Sequence, residues 1–545
     1  MTRFLWLGSM VLLILIWTGC GDTFRPIIIP NPPTFPDPRA AHTVLAVNDN
    51  GPISRGSVLV VDVSGDSEVS IADVGVAPVH AVQQASNQVL VLNQATTTTS
   101  ANSLSKVFFS GTVINGTPTT ISLPPNSLPN FVATTESSQA YVLLPSYVPD
   151  PVNNPGQVVP SVGVVSTISN ALIATAPVGN TPLAMVETVD TKKLYVANKG
   201  NNTISGFNTV DRSLRNNPLL ITSSPPIWLS ARSDSQRVYV LEADGTLAWL
   251  DTTSTAGPDA LTEEPTIKVP TATSMLYDGK LNRLYIPGGP QMAIVDVSQS
   301  APQLLKTILI PQIPSVPPVD AFAVAVAALP DGSRAYVASV STNPQPSQVS
   351  ISAVQGDGTN AIYTYTLTGG HDLTAGIAIT VSGITAPDGF NGTVTIAAVS
   401  GRSCDQPAQT CTFQTANTTV TAQTAVTGLG SSTIDHLFPQ VTVINTSGNT
   451  IKTTTSVAGF PDATILGSPY FVPVCATTRF RFTMGAAGDS SRAYLASCDG
   501  GGINVIDTST DSFLVNLAAP FSARPPIPPN TESPPQNPVF LIAGP

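Results

Sequence analysis

The stretch KKLYVANKGNNTISGFNT, residues 192–209, decides how the chain is read. Apolar Leu194 and Val196 flank Tyr195, a Gly-Asn turn follows at 200–202, and a second alternating run from Thr203 to Phe207 closes the phrase. Period-two alternation around a Gly-Asn turn is the signature of a β-hairpin. A hairpin alone does not define a fold, so the question is whether the phrase recurs.

It does. VLAVN centres on Leu45, VLVLN on Leu90, AYVLL on Tyr141, LYVAN on Tyr195, VYVLE on Tyr239, LYIPG on Tyr285, AYVAS on Tyr336 and AYLAS on Tyr494. Successive centres are separated by 45, 51, 54, 44, 46, 51 and 158 residues. A period of this size marks a repeat architecture. Each unit also has a polar turn before the centre, as in DTKK from 190 or LPDGSR from 329, and a following strand that ends in Asp or Asn. Asp62, Asn208, Asp251, Asp296 and Asp507 hold that place, where a side-chain oxygen can accept N–H groups of the next turn. A third strand follows, such as ALIATAPVG at 171–179, and a fourth precedes each polar turn, such as PLAMVET at 182–188. Four short strands per unit without helical periodicity describe a propeller blade. The fold class is therefore all-β, a β-propeller with eight blade-like repeats, seven blades being the alternative if the terminal units share one. NPVFLIAGP at the C-terminus can return as an edge strand beside the Leu45 unit, which has no evident first strand upstream.

LYVANKGNNTISGFNT resembles the YVTN-type β-propeller repeat of surface proteins and lactonase-like propellers. The resemblance covers most of 40–350 and 470–520. It implies a fold and leaves function open, because propellers serve as enzymes, binding platforms and scaffolds alike.

The long last interval locates an addition. From a centre to its strand-end Asp or Asn the step is usually 11 to 13 residues, as from 195 to 208 or 239 to 251, but from Tyr336 the matching Asn445 lies 109 residues on. An insertion of about 90 residues between the second and third strands explains this, since loops tolerate such additions. The inserted text alternates (AIYTYTL, GIAITVSGI, NGTVTIAAV, TCTFQT) and reads as a small β-domain that looks like the Ig-like modules of bacterial surface proteins. The organisation expected is a leader over 1–20, a Pro-rich tether over 21–40, the propeller over 41–355 and 438–519, the insert over 356–437, and a Pro-rich strap with a closing strand over 520–545.

Export is written at the N-terminus. MTRFLWLGSMVLLILIWTGC has basic Arg3, an apolar run from Phe4 to Trp17 and small residues before Cys20. The run is shorter than the roughly 20 residues that span a bilayer. It resembles a bacterial lipoprotein signal, which implies acylation of Cys20 and a membrane anchor, although Trp17 stands where that pattern prefers an aliphatic residue. The location expected is the cell envelope, at the outer membrane, facing the periplasm or the surface. Cys404, Cys411, Cys475 and Cys498 are then disulfide candidates with three possible pairings. The six-residue gap makes Cys404–Cys411 a plausible hairpin staple, and Cys475 would pair with Cys498 by elimination.

Charged residues are only 10% of the chain, against roughly 25% in an average soluble domain. The net charge is −11 and no Lys/Arg cluster tracks a phosphate backbone, which excludes nucleic acid as the partner. No Walker loop, GxSxG elbow or HExxH motif appears, so no catalytic residue, cofactor or metal site is assigned. His42, His80, His371 and His436 stand apart from any paired carboxylate or cysteine in the sequence. Asp62, Asp66 and Glu68 offer oxygens at calcium-like spacing, but an acidic turn explains them better. Arg479 and Arg481 in TRFRFTMG alternate onto one face of an innermost strand, where other units place Ala, Val, Met or Leu. They are the candidate ligand contacts, against the alternative of pairing with carboxylates or reaching solvent at the rim. The repeated tyrosines read as packing between blades. The function expected is a lipid-anchored, non-catalytic binding or scaffolding module for a protein or glycan partner. The rival is a lactonase- or lyase-like enzyme with a channel-mouth metal, for which Glu187, Asp320 and the histidines are the candidates.

Overall fold

The computed structural model describes residues 43–543 apart from 52, 86, 96–100, 136–137, 217–218, 256, 313–319, 370–372, 374–376, 401–409, 458–474, 476–477, 524–532 and 534. The leader with Cys20, the tether, His42, His371 and Cys404 lie outside the described residues.

Eight antiparallel sheets form among the described residues, each built on four strands that follow one another from inside to outside. Blade 4 is typical: an inner strand Pro182–Glu187, a second strand Lys193–Asn198, a third Thr203–Asn208 and a short outer strand Leu220–Ile221. The eight sequence centres all fall in second strands. Those strands are buried along their whole length in blades 2 and 4, because each packs against a neighbouring blade on both faces. A strand covered on both faces reads as a continuous apolar run. The outer strand of blade 3, Ala171–Pro177, instead alternates between exposed and half-buried positions, as a strand with one wet face must.

The inner strands form a closed ring. That of blade 8, Phe482–Ala486, neighbours Asn537–Ala543, which neighbours that of blade 2, Pro78–Ala85. Asn537–Ala543 is the inner strand of blade 1 and pairs with Thr43–Asp49, so both chain ends build one blade. The count is eight, and the seven-bladed alternative does not hold.

Blade 7 carries the insert. Its second strand, Arg334–Asp357, and third strand, Val420–Asn445, pair almost throughout, from Arg334 opposite Asn445 to Asp357 opposite Val420. Their lower halves belong to the blade and their upper halves to the insert. The intervening strands Asn360–Gly369, Ala378–Ser382, Gly392–Ser400 and Thr410–Ala416 complete a closed six-stranded barrel with those upper halves. Tyr363, Tyr365, Phe390 and Phe413 fill its core, with Tyr363 stacked on Phe413 at 4.5 Å between centroids. Val349 and Ile351 belong to that core, so the insert reaches back beyond position 356. The propeller resumes at Gln440, opposite Ser339.

Candidate functional site

Strand direction gives the propeller two faces. Every inner strand begins on one face, called upper here, where the turns between second and third strands and the connections from blade to blade also lie; the turns between first and second and between third and fourth strands lie on the lower face. The insert rises from the upper face, and Thr43 starts its strand on the lower one.

The lower face is an interlocking rim. A cation stands two residues before the central Tyr in five blades: Lys193, Arg237, Arg283, Arg334 and Arg492. Four of them reach the next blade. Lys193 donates to the carbonyls of Thr252 and Ser254, and Arg283 to that of Thr446 at 2.8 Å. Arg334 pairs with Asp511 at 2.6 Å. Arg492 binds both oxygens of Asp66, at 2.9 and 3.0 Å. Arg237 instead lies 4.0 Å from the Trp249 ring. The tyrosines are buried in the same seams: Tyr195 donates to Asp259 at 2.8 Å and Tyr336 to Asp511 at 2.5 Å. Burial and the adjacent carboxylate push both phenols well above the ordinary tyrosine range. Asp259 also holds Arg215 through two bonds of 2.8 Å, and both side chains are inaccessible to solvent. The acidic turn at 62–68 belongs to this rim. Asp62 accepts from Ser64 and Asp66 is taken by Arg492, so these oxygens do not converge on a cation site. No cluster of three or more His, Cys, Asp or Glu able to hold a metal occurs among the described residues.

The upper mouth of the channel is built differently. Aromatic rings near the starts of five inner strands meet there: Phe540 from blade 1, His80 from blade 2, Phe131 from blade 3, Trp228 from blade 5 and Phe480 just ahead of blade 8. His80 stacks on Phe131 with centroids 4.0 Å apart and lies 4.6 Å from Phe540 and 5.2 Å from Phe480. Trp228 meets Phe131 and Phe480 edge-on at 6.1 and 6.0 Å. These are favourable quadrupole geometries, and the rings form an apolar floor across the mouth.

Arg479 lies over that floor. Its guanidinium carbon is 5.2 Å from the Phe131 centroid, 5.6 Å from Trp228 and 5.0 Å from Phe480. It reaches from blade 8 across the mouth, donating to the carbonyl of Leu183 in blade 4 and, at 3.5 Å, to that of Ile227 in blade 5. The residue is solvent-exposed, yet no carboxylate among the described residues pairs with it. Desolvation by the surrounding protein lowers its pKa to about 10. His80 is buried; its Nδ1 accepts the Val132 N–H at 3.4 Å. Burial first, then the charge of Arg479, hold the imidazole well below its ordinary pKa, so it is neutral.

The sequence-level candidates separate here. Arg481 pairs with Asp499, which also accepts the backbone N–H of Cys475, so its charge is compensated. Cys475 and Cys498 form a disulfide in the same corner, and Cys411 lies in the insert core. Glu187 is buried at the lower end of its inner strand, bonded by the Thr135 N–H and hydroxyl. Asp320 lies ahead of the blade 7 inner strand, on the upper side, accepting from Gln312. These two carboxylates stand at opposite ends of the channel and do not meet His80. The backbone of His436 lies in the ribbon joining blade to insert. The aromatic floor itself was missed by sequence reasoning. Its signal is a column: His80, Phe131 and Trp228 precede their central residues by 10, 10 and 11 positions.

The fold and this mouth define the chain as a β-propeller of eight blades. Solved propeller structures resemble it in shape. The crystal structure of AztD from Citrobacter koseri matches with a TM-score of 0.50 at 8% identity, over 92% of this chain and 98% of that one. The periplasmic gluconolactonase PpgL of Pseudomonas aeruginosa matches with a TM-score of 0.40 at 13% identity, over 55% and 91% of the two chains. A putative 6-phosphogluconolactonase from Bacteroides fragilis gives 0.40 at 16% identity, over 57% and 92%. At such identities the likeness extends to the fold alone. No protein-family model matches the sequence and no curated protein is similar to it, so the YVTN-type resemblance stands on the quoted repeats.

Proposed function

We propose that this chain is a lipid-anchored cell-envelope β-propeller that acts as a non-catalytic binding module, engaging a protein or glycan partner on its upper face. One observation carries the reading: the upper face brings together an apolar aromatic floor, an arginine with no carboxylate partner among the described residues and an inserted domain with its own core. Apolar ground with a few placed polar groups, here the half-buried Trp228 and Phe540 rings beside exposed Arg479, is what a binding surface requires. The lipoprotein-like leader supports the anchor, and Thr43 joins the propeller on the lower face, leaving the upper face on the side away from that attachment.

The test uses the full chain and a variant lacking the insert. Ser347 and Ser432 face each other in the ribbon, so a two-residue turn can replace 348–431 and close the hairpin. Wild type is expected to sediment with envelope glycan or cross-link to an envelope protein in cells, and the variant to lose much of that association. Hydrolysis of lactones by the wild-type chain at enzymatic rates would overturn the reading. Incorporation of labelled palmitate, absent in Cys20→Ala, checks the anchor.

A further inference from the structure

We infer that the channel mouth is a binding site for a carboxylate attached to an apolar or ring-bearing group, with Arg479 as its anchor and the aromatic floor as the platform for the rest of the ligand. The inference deepens the proposed upper-face binding role and rests on it.

Three observations converge. Arg479 is a cation among rings and backbone with no carboxylate among its described neighbours, whereas Arg481, two residues on, has Asp499. A guanidinium resting on rings with no carboxylate partner among the described residues can take an incoming anion, and its planar fork fits a carboxylate through two parallel bonds. Its position is fixed: the carbonyls of Leu183 and Ile227 hold one edge, and the rings of Phe131, Trp228 and Phe480 hold its plane. Preorganisation of this kind lowers the cost of ordering on binding. Finally, His80, a buried ring of the floor itself, is neutral and leaves Arg479 as the cation of this cluster. The half-buried Trp228 ring, beside Arg479, suits either an apolar side chain next to a peptide C-terminus or the C–H face of a uronate.

The probe is 4-fluorobenzoate, with neutral 4-fluorobenzamide as its control, followed by fluorine NMR in the presence of the full chain. Saturable binding with an upfield ring-current shift is expected for the benzoate. The amide, and the benzoate with Arg479→Gln, are expected to bind at least tenfold more weakly. Equal binding of acid and amide, unchanged affinity in Arg479→Gln, or no saturable binding would each overturn the inference. The acid–amide comparison uses wild-type protein and so does not depend on the variant folding. Displacement of the probe by N-acetylphenylalanine but not glucuronate would assign the carboxylate to a peptide terminus, and the reverse to a sugar acid. Loss of probe binding with insert-dependent envelope association intact would remove this inference alone; loss of that association would remove the wider reading.

Discussion

The two faces of the propeller use arginine in opposite ways. On the lower rim Arg334, Arg492 and the buried Arg215 each meet a carboxylate, two of those from the neighbouring blade and one, Asp259, from the seam between blades 4 and 5. At the upper mouth Arg479 meets, among the described residues, carbonyls and rings. A paired guanidinium in a seam fixes the angle between blades, since removing one partner strands the other in low dielectric. An unpaired guanidinium at a channel mouth leaves nothing stranded when it is removed. On the proposed reading, its charge serves a ligand that arrives from outside. The comparison predicts large stability effects at the rim and binding effects without stability effects at the mouth.

The largest loss is expected for Asp259→Ala. It leaves Arg215 uncompensated and the Tyr195 hydroxyl without its acceptor, both fully buried, at a cost of about 3–5 kcal/mol in urea denaturation. A loss below about 1 kcal/mol would mean that the seam does not depend on this pair. Next comes the Cys475–Cys498 disulfide, which closes a loop with a sequence separation of 23. Cys475→Ser with Cys498→Ser is expected to cost about 2–4 kcal/mol, chiefly through a freer unfolded chain. The same double variant gives a sharper reading of the mouth, because the bridge sits beside the Arg481–Asp499 pair and not against Arg479.

What the sequence made legible follows the same division. Tyr195, Tyr239 and Tyr285 announce their blades because every blade meets its neighbours in the same way, so one packing solution is written many times. The lower rim shares that legibility: the cation two residues before five of the six central tyrosines is a column visible on aligning the repeats. The closing strand was also readable, since the Leu45 unit lacked a partner that Asn537–Ala543 supplies. The mouth was harder. His80, Phe131, Trp228, Phe480 and Phe540 each occur once per unit at most, and only ring closure, a relation across more than 400 residues, brings the first and last together. Arg479 and Arg481 looked equivalent in TRFRFTMG. What separates them is Asp499, placed by the turn after the second strand of blade 8, which no local pattern reveals.

A smaller effect tests the floor by pH. His80 is neutral in the folded state and takes up a proton more readily when unfolded, at an ordinary pKa near 6.5. Between its depressed folded value and about 6.5 the unfolded chain therefore binds more protons, and stability rises with pH. The contribution is complete above about 6.5 and is lost as pH falls below it, at up to about 1.4 kcal/mol per pH unit. Arg479, the charged group facing the ring, adds to this by opposing the imidazolium. Urea midpoints at pH 7.5 and 5.0 should differ more in wild type than in His80→Gln. An equal drop in both would show that this ring of the floor is protonated as easily as in water.

The smallest stability effect, and the one on which the comparison turns, is expected for Arg479→Gln. The change removes a cation without leaving a buried carboxylate behind, and glutamine keeps a donor for the Leu183 carbonyl. Its stability should stay within about 0.5 kcal/mol of wild type, as for an exposed substitution. Arg334→Gln removes a partner of Asp511, whose carboxylate is nearly inaccessible, and should lose roughly 2 kcal/mol or more, tempered by Lys452 on the same carboxylate. Side-by-side denaturation decides the matter. If the two variants lose stability equally, Arg479 is one more strut between blades, and the mouth is structural in the same sense as the rim. If only Arg334→Gln loses it, the guanidinium at the mouth is held in place by the fold without being needed for it, which is the condition for a group that serves a ligand.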